Sequence, residues 1–302
     1  MPRVIRLLTA GSLIGLLCGC GTATKAAPSG KPVVAVAFYP VEDIVRSVER
    51  GTADVVTLVP PGQEAHEYEP TAQQVGELQS AKVVFYLGDG FQPDVEKAIA
   101  TLPDSVRKVD LLSSIELLPI TDALHGTEGE TAGEVLGGGK DPHVWLDPNN
   151  MIAMAEVVAK TLDIDASNYI SQLRALDDTY RAGLSHCRSH VIVTSHRAFE
   201  YLAHAYGLTQ IPIAGISPVE EPSAKTLEAV AKAAQANDVS TIFFEENLPA
   251  DLAKTIADEI GATTAVLDPV ESLSSEQLTS GATYISVMTQ NLATLKTGLG
   301  CS

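Results

Sequence analysis

The feature that most constrains the fold is a regular alternation of short apolar runs with helix-like segments. The runs, for example residues 33–38 and 191–194, are continuous in apolar residues, as is typical of strands covered on both faces of a parallel sheet. Loops containing Gly or Pro lead from these runs into helical patterns, and this order predicts parallel α/β units. The alternation occurs twice, before and after a helical run at 167–185 that is a candidate for a rigid connector. The sequence therefore predicts an α/β fold with two halves of the same architecture.

The individual elements follow from this pattern. Strands are predicted at residues 33–38, 55–59, 82–87, 191–194, 211–213, 241–244 and 263–267. Helices are predicted at 40–48, 71–80, 92–102, 149–162, 167–185, 198–206, 223–236, 249–260 and 279–297. The Gly-rich segment 121–140 is predicted to be a long loop, in which His125 is the one histidine.

The N-terminus has the pattern of an export signal. Arg3 and Arg6 precede an apolar run at 7–17 that is too short to span a membrane as a helix. The run ends in Leu17-Cys18-Gly19-Cys20, which resembles a bacterial lipobox, so Cys20 is predicted to be lipidated. An ordinary cleaved signal peptide is the alternative. A lipidated Cys20 would anchor the chain at the extracytoplasmic face of a membrane in the cell envelope.

Net charge and cysteine content limit the partners and the compartment. The formal net charge of −18 excludes nucleic acid as an expected partner, because phosphate binding needs a basic surface. An acidic surface favours cations, although it also serves solubility alone. Of the four cysteines, Cys18 is lost with the signal and Cys20 is lipidated, which leaves Cys187 and Cys301 outside the cytoplasm. A disulfide between these two is predicted, and two free buried thiols are the alternative.

Four residues that can bind a metal fall at or near places where ligands bind in open parallel sheets, just beyond the carboxyl ends of strands. His66 follows the strand at 55–59, and His143 lies between the Asp-Pro pairs of a stiff segment at 141–148. The other two follow strands of the second half and are His196 and Asp268, with Glu245 as a reserve candidate for the fourth ligand. A cleft between the two halves would bring all four together.

Three imidazoles and one carboxylate suit zinc, and they can also bind manganese. Four protein ligands leave no open position for a catalytic water, and the sequence contains no Gly-x-Ser-x-Gly, His-Glu-x-x-His or phosphate-loop motif. The pattern therefore predicts a metal-binding protein that is not an enzyme. A metallohydrolase and a metal-stabilised surface adhesin are the rival classes.

The chain resembles the zinc/manganese substrate-binding lipoproteins of bacterial ABC importers over essentially the whole mature sequence. The matching segments are 61–71 with His66, 141–148 with His143, 194–201 with His196, 215–223, 243–246 and 267–269. The resemblance implies two α/β lobes joined by a single long backbone helix, with the metal in the cleft between them. It implies His66, His143, His196 and Asp268 as the ligands. It also implies capture of Zn²⁺ for a membrane permease that a cytoplasmic ATPase drives.

Within that family, zinc-type members resemble this chain in having His at the third ligand position, whereas manganese-type members often have Glu there. His196 therefore favours zinc, with a manganese receptor as the alternative. The segment before the second ligand lacks the His-rich character of many zinc-type members, so His125 is expected to be a bystander, and transient transfer of metal by His125 is the alternative. A monomer is expected. The expected organisation is a signal peptide at 1–20, a tether at 21–31, an N-terminal lobe at 32–165, a linking helix at 166–187 and a C-terminal lobe at 188–302.

Overall fold

The computed structural model describes residues 30–120, 139–219, 221–245, 248 and 250–302. The predicted signal peptide, the lipidation site Cys20, most of the tether and His125 lie outside the described residues. None of the described helices is both long and apolar enough to cross a membrane.

The first half of the chain forms a parallel four-stranded sheet with the strand order β2-β1-β3-β4. Val34 of β1 lies opposite Val55 on one side and Val83 on the other, so apolar strands flank β1 on both sides. The elements of this half, in chain order, are β1 Val33–Val36, α1 Tyr39–Glu49, β2 Asp54–Thr57, α2 Ala72–Leu78, β3 Val83–Tyr86, α3 Pro93–Ala100 and β4 Arg107–Asp110.

The second half repeats this topology, with a parallel sheet in the order β6-β5-β7-β8. Two helices, α4 Pro148–Leu162 and α5 Ser167–Leu184, lie between the sheets in sequence and pack against each other. The second sheet and its helices are β5 Val191–Thr194, α6 Glu200–Tyr206, β6 Thr209–Pro212, α7 Ala224–Ala236, β7 Thr241–Phe244, α8 Asp251–Ile260, β8 Thr263–Val266, α9 Ser275–Thr279 and α10 Tyr284–Leu299.

The predicted pair of α/β lobes with parallel sheets is confirmed, and every predicted strand is present. The pattern missed β4, a polar edge strand in which Arg107 and Lys108 are exposed. It also started the last helix too early, because α9 ends at Thr279 and α10 begins only at Tyr284. The helix α5 lies inside the predicted linker at 166–187, but its role as a single connector and the domain limits stay predictions.

The main hydrophobic core extends across both halves. It runs from Val34 in β1, through Leu173 in α5 and Leu292 in α10, to Phe243 in β7. A smaller core, which includes Val193 and other residues of the second sheet with residues of α7 and α8, lies apart from it. Because neighbouring residues of a strand point to opposite faces, Ile242 and Phe243 belong to different cores. One face of the second sheet therefore belongs to the main core.

Buried polar contacts also join the halves. The Trp145 indole donates to the carbonyl of Pro269 at 2.7 Å, and the Tyr284 hydroxyl donates to the carbonyl of Trp145 at 2.6 Å. Asp43 of α1 accepts hydrogen bonds from the Tyr169 hydroxyl at 2.7 Å and from the backbone N–H of Tyr284 at 3.1 Å. The Trp145 indole thus connects the segment after His143 with the loop after β8, and Asp43 connects α1 with α5 and α10.

A disulfide joins Cys187, just after α5, to Cys301 at the end of the chain. The backbone supports the same arrangement, because the N–H of Arg188 donates to Leu299 and the N–H of Ser302 donates to His186. The chain end is therefore held beside the start of the second half.

Candidate metal centre

His66 lies in the loop that follows β2, and side-chain hydrogen bonds within and beside the loop fix its shape. Glu64 accepts hydrogen bonds from the backbone N–H groups of His66 and Glu67, both at 2.8 Å. The amide of Gln92 donates to the carbonyl of Ala65 at 2.8 Å. The ring of His66 packs edge-on against Phe91, with 4.8 Å between centroids, so its position and tilt are defined.

His143 is oriented by the acidic residue two positions before it. Oδ1 of Asp141 lies 2.8 Å from both the backbone N and Nδ1 of His143. A carboxylate can only accept here, so Nδ1 carries the hydrogen and Nε2 is left with a lone pair for a metal. Burial lowers the pKa of His143, with Asp141 acting in the opposite direction, so this fully buried ring favours the neutral form that metals require.

His196 lies just beyond β5, between two carboxylates. Its Nδ1 is 2.6 Å from Oε1 of Glu245, and its Nε2 is 3.2 Å from Oε1 of Glu271. Burial lowers the pKa of His196, but the two carboxylates outweigh burial and raise it to about 10. Glu245 thus sets the orientation of the ring, and Nε2 faces Glu271.

Glu271 enters the site through a turn after β8. Asp268 Oδ1 accepts from the backbone N–H of Val270 at 2.7 Å, and Val270 has a φ of 59°, a left-handed conformation that β-branched residues rarely adopt. Asp268 Oδ2 accepts from Gln277 at 3.3 Å. Hydrogen bonds within this region therefore use both carboxylate oxygens of Asp268, and the turn places Glu271 beside the histidines. Burial raises the pKa of Asp268 to about 6.

One metal-capable group of four residues stands out in the part of the chain that the structure describes. Its ligand atoms all lie within 4.8 Å of one another, and its members are His66, His143, His196 and Glu271. Oε1 of Glu271 is 3.7 Å from Nε2 of His66, 3.5 Å from that of His143 and 3.2 Å from that of His196. A tetrahedral zinc with bonds of about 2.0–2.1 Å separates its ligand atoms by roughly 3.3–3.4 Å. The three separations from Glu271 lie near that value, and all ligand atoms of the group stay within 4.8 Å of one another.

The structure brings together the three histidines that the sequence predicted, but it does not bring Asp268 into the group. Glu245, the reserve candidate, contacts His196 from behind and is also outside the group. Sequence reasoning missed Glu271. One signal in the sequence could have indicated it. An Asp side chain can bond the backbone two residues later, so Asp268-Pro269 is able to start a turn, and that turn ends at an acidic residue.

A cavity of about 140 Å³ opens beside Glu271, and its lining is acidic. The carboxylates that line it are those of Glu64, Glu245, Asp268 and Glu271. Carboxylates around one opening concentrate cations there. The arrangement can therefore attract a divalent ion and bind it among buried ligands, and it offers no nucleophile–base pair among them.

Comparison with known proteins identifies relatives that are named for zinc binding and zinc uptake. The chain is 37% identical over 311 residues to the zinc-binding lipoprotein AdcA of Streptococcus pneumoniae (strain TIGR4), which covers 97% of this chain and 60% of that relative. The chain thus spans only about three fifths of the length of this relative. It is 33% identical to the high-affinity zinc uptake system protein ZnuA of Bacillus subtilis, over 94% of both chains.

Among solved structures, the Zn(II)-bound ZnuA-like domain of Streptococcus pneumoniae AdcA is similar, with a TM-score of 0.74 and 36% identity. That match covers 89% of this chain and 99% of the solved one. The model of the family "ZnuA: Zinc-uptake complex component A periplasmic" matches residues 34–298, which is nearly all of the described chain. With its three histidines and Glu271 on two parallel-sheet lobes, this chain belongs to the family of periplasmic zinc-uptake component A proteins.

Proposed function

We propose that this protein is an extracytoplasmic zinc receptor, which captures Zn²⁺ between its two lobes and delivers it to an ABC-type importer. The observation that carries the proposal is the buried group of three imidazoles and one carboxylate, with the Glu271 oxygen near the tetrahedral spacing from all three imidazole nitrogens. Zinc is the transported ligand here, and the protein has no catalytic role for it.

The donor set supports zinc over manganese. Imidazole nitrogens suit zinc, whereas manganese prefers carboxylate, carbonyl and water oxygens in octahedral arrangements. The four proposed ligands are His66, His143, His196 and Glu271. They complete a tetrahedron, and a closed site of this kind binds a metal without leaving the open position that catalysis needs. Glu271 takes the place in this proposal that the sequence pattern assigned to Asp268.

Two further carboxylates support the ligands from behind. Asp141 contacts Nδ1 of His143, and Glu245 contacts Nδ1 of His196, so each leaves Nε2 directed to the metal. Such partners raise the basicity of the ligand and fix its tautomer. Asp141 and Glu245 therefore fix the orientation of the two imidazole rings that they contact.

The partners belong to the same proposal. The relatives carry names of zinc-binding and zinc-uptake proteins. A receptor for zinc uptake would work with a membrane permease and a cytoplasmic ATPase. Lipidation at Cys20 would keep the receptor close to that permease, and a monomer is sufficient because one chain supplies all four ligands.

The experiment is a titration of the mature, metal-free protein with Zn²⁺ and with Mn²⁺, by calorimetry with a competing chelator. We expect one tightly bound Zn²⁺ per chain, with Mn²⁺ weaker. His143→Ala should abolish tight binding, while His204→Ala, at a histidine outside the group, should bind as the wild type does.

Tighter binding of Mn²⁺ than of Zn²⁺ would replace the metal assignment by the manganese alternative. No tight binding of either ion would reject the receptor and favour the adhesin, for which deletion should abolish adhesion without changing zinc uptake.

A further inference from the structure

Each loop that carries a proposed ligand is held at a backbone carbonyl by a buried or partly buried, uncharged side chain. The carbonyl belongs to the ligand residue itself or to a residue at most three positions before it. We call these side chains the clamp residues, and they are Gln92 for the His66 loop, Tyr201 for the His143 loop, Gln210 for the His196 loop and Asn291 for the Glu271 loop.

The clamps on the two loops of the first half come from different places in the chain. Gln92, which is fully buried before α3, donates to the carbonyl of Ala65 at 2.8 Å. Tyr201 of α6 donates to the carbonyl of Asp141 at 2.8 Å and accepts from the N–H of Leu118 at 2.9 Å. The helix that follows His196 thus holds the loop of His143.

The clamps on the two loops of the second half are equally direct. Gln210 of β6 donates to the carbonyl of His196 at 2.9 Å and to the hydroxyl of Thr194 at 2.7 Å. Asn291 of α10 binds both backbone groups of Asp268, donating to its carbonyl at 2.7 Å and accepting from its N–H at 3.0 Å. Asn291 therefore fixes the start of the turn that delivers Glu271.

Packing alone does not account for these amides. Oε1 of Gln92 and Oε1 of Gln210 are buried and have no hydrogen-bond partner among the residues that the structure describes. A buried acceptor without a partner costs free energy, and an apolar side chain of similar volume would avoid that cost. What each glutamine supplies is its Nε2, and in both cases Nε2 bonds the backbone beside a proposed ligand.

We propose that the four clamp residues are positioning residues, which hold the ligand atoms at tetrahedral spacing before the metal arrives and thereby set the preference for zinc. The inference rests on the proposed function. Zinc fits a tetrahedron of four protein ligands, whereas manganese needs a larger coordination number and therefore loops that can move apart. Clamped loops resist that expansion.

The test compares two tyrosines that make the same kind of bond. Tyr201→Phe removes the hydroxyl that holds the carbonyl of Asp141, and Tyr180→Phe removes one that holds the carbonyl of Met288 at 2.7 Å, away from the ligand loops. Gln92→Met is the second clamp variant, because methionine keeps the length of the side chain. The affinities for Zn²⁺ and Mn²⁺ and the unfolding of the metal-free protein are measured for all three and for the wild type.

We expect Tyr201→Phe and Gln92→Met to bind Zn²⁺ about 10-fold more weakly, at the lower end of what lost outer-shell partners cost. The ratio of their zinc affinity to their manganese affinity should fall, because the affinity for Mn²⁺ should decrease less than the affinity for Zn²⁺. Tyr180→Phe should lose stability but keep the wild-type affinity and ratio.

Wild-type affinities and ratios in both clamp variants, or an equal loss in Tyr180→Phe, would overturn the clamp proposal while leaving the receptor intact. Failure of the wild type to bind zinc would instead reject the proposed function.

Discussion

His196 is bonded on both ring nitrogens by carboxylates, with Nδ1 2.6 Å from Glu245 and Nε2 3.2 Å from Glu271. In the metal-free protein a proton on Nε2 therefore occupies the direction that a metal would take. Glu245 contacts the ring from the other side, at Nδ1, where it does not compete with a metal at Nε2. We therefore expect a metal that binds at His196 to displace one proton from Nε2.

Zinc binding should therefore depend on pH well above the ordinary range of histidine. The pKa of His196 is raised to about 10, so the ring is protonated at neutral pH and Zn²⁺ has to displace a proton. The binding constant should increase about tenfold per pH unit between pH 7 and 9. Calorimetry at pH 7.5 in two buffers with different ionisation enthalpies measures the released proton. Glu245→Gln should reduce that release, and a binding constant independent of pH would contradict the prediction.

The fourth ligand can be identified by comparing two carboxylates three residues apart. Glu271→Gln should weaken zinc binding by more than about 100-fold, because losing a ligand costs more than losing an outer-shell partner. Asp268→Asn retains an oxygen that can accept from Val270, so zinc affinity should change less than about 10-fold. Competition titrations measure both. A larger loss for Asp268→Asn than for Glu271→Gln would restore the ligand set that the sequence pattern predicted.

The disulfide should contribute to stability and not to metal binding. Cys187 and Cys301 are 114 residues apart, and the bond restricts the unfolded chain over that length. Replacing both cysteines by serine should lower the free energy of unfolding by about 2–4 kcal/mol. Urea unfolding measures this loss, and zinc affinity should stay unchanged because neither cysteine belongs to the metal-capable group. Equal unfolding free energies would show that the bond is dispensable.

The single tryptophan should report on the metal site. Trp145 is the only tryptophan in the chain, it is fully buried, and its ring lies 5.2 Å from that of His143. Ions with partly filled d shells quench nearby indole fluorescence, so Co²⁺ at this site should quench the emission strongly. A fluorescence titration should reach its end point at one Co²⁺ per chain. His143→Ala should lose the saturable quenching, and quenching that persists unchanged in that variant would place the ion elsewhere.

Much of the fold was predictable because its strands are apolar. Residues such as Val34 and Ile192 lie in buried runs that have few alternatives to a covered parallel strand. The polar edge strand Arg107–Asp110 carries no such signal and is formed by pairing with β3. The last helix starts later than predicted because Gly281, with a positive φ of 83°, interrupts the helical conformation between α9 and α10.

The grouping of the side chains was predictable for the candidate ligands that are histidines at strand ends, and less so for the acidic member, whose position a turn determines. Asp268 follows β8 directly, so it was the natural choice for a fourth ligand. The local hydrogen bond from Val270 to Asp268 and the left-handed conformation of Val270 move the next acidic residue, Glu271, into the centre instead. Such geometry depends on contacts with α10 through Asn291, which residue spacing does not reveal.

The main core joins Val34, near the start of the described chain, to Leu295 and Leu299, almost at its end. During synthesis or export, the first half therefore has no complete interior until nearly every residue has emerged. A metal site whose ligands come from both halves is therefore expected to form late, when α10 completes the core.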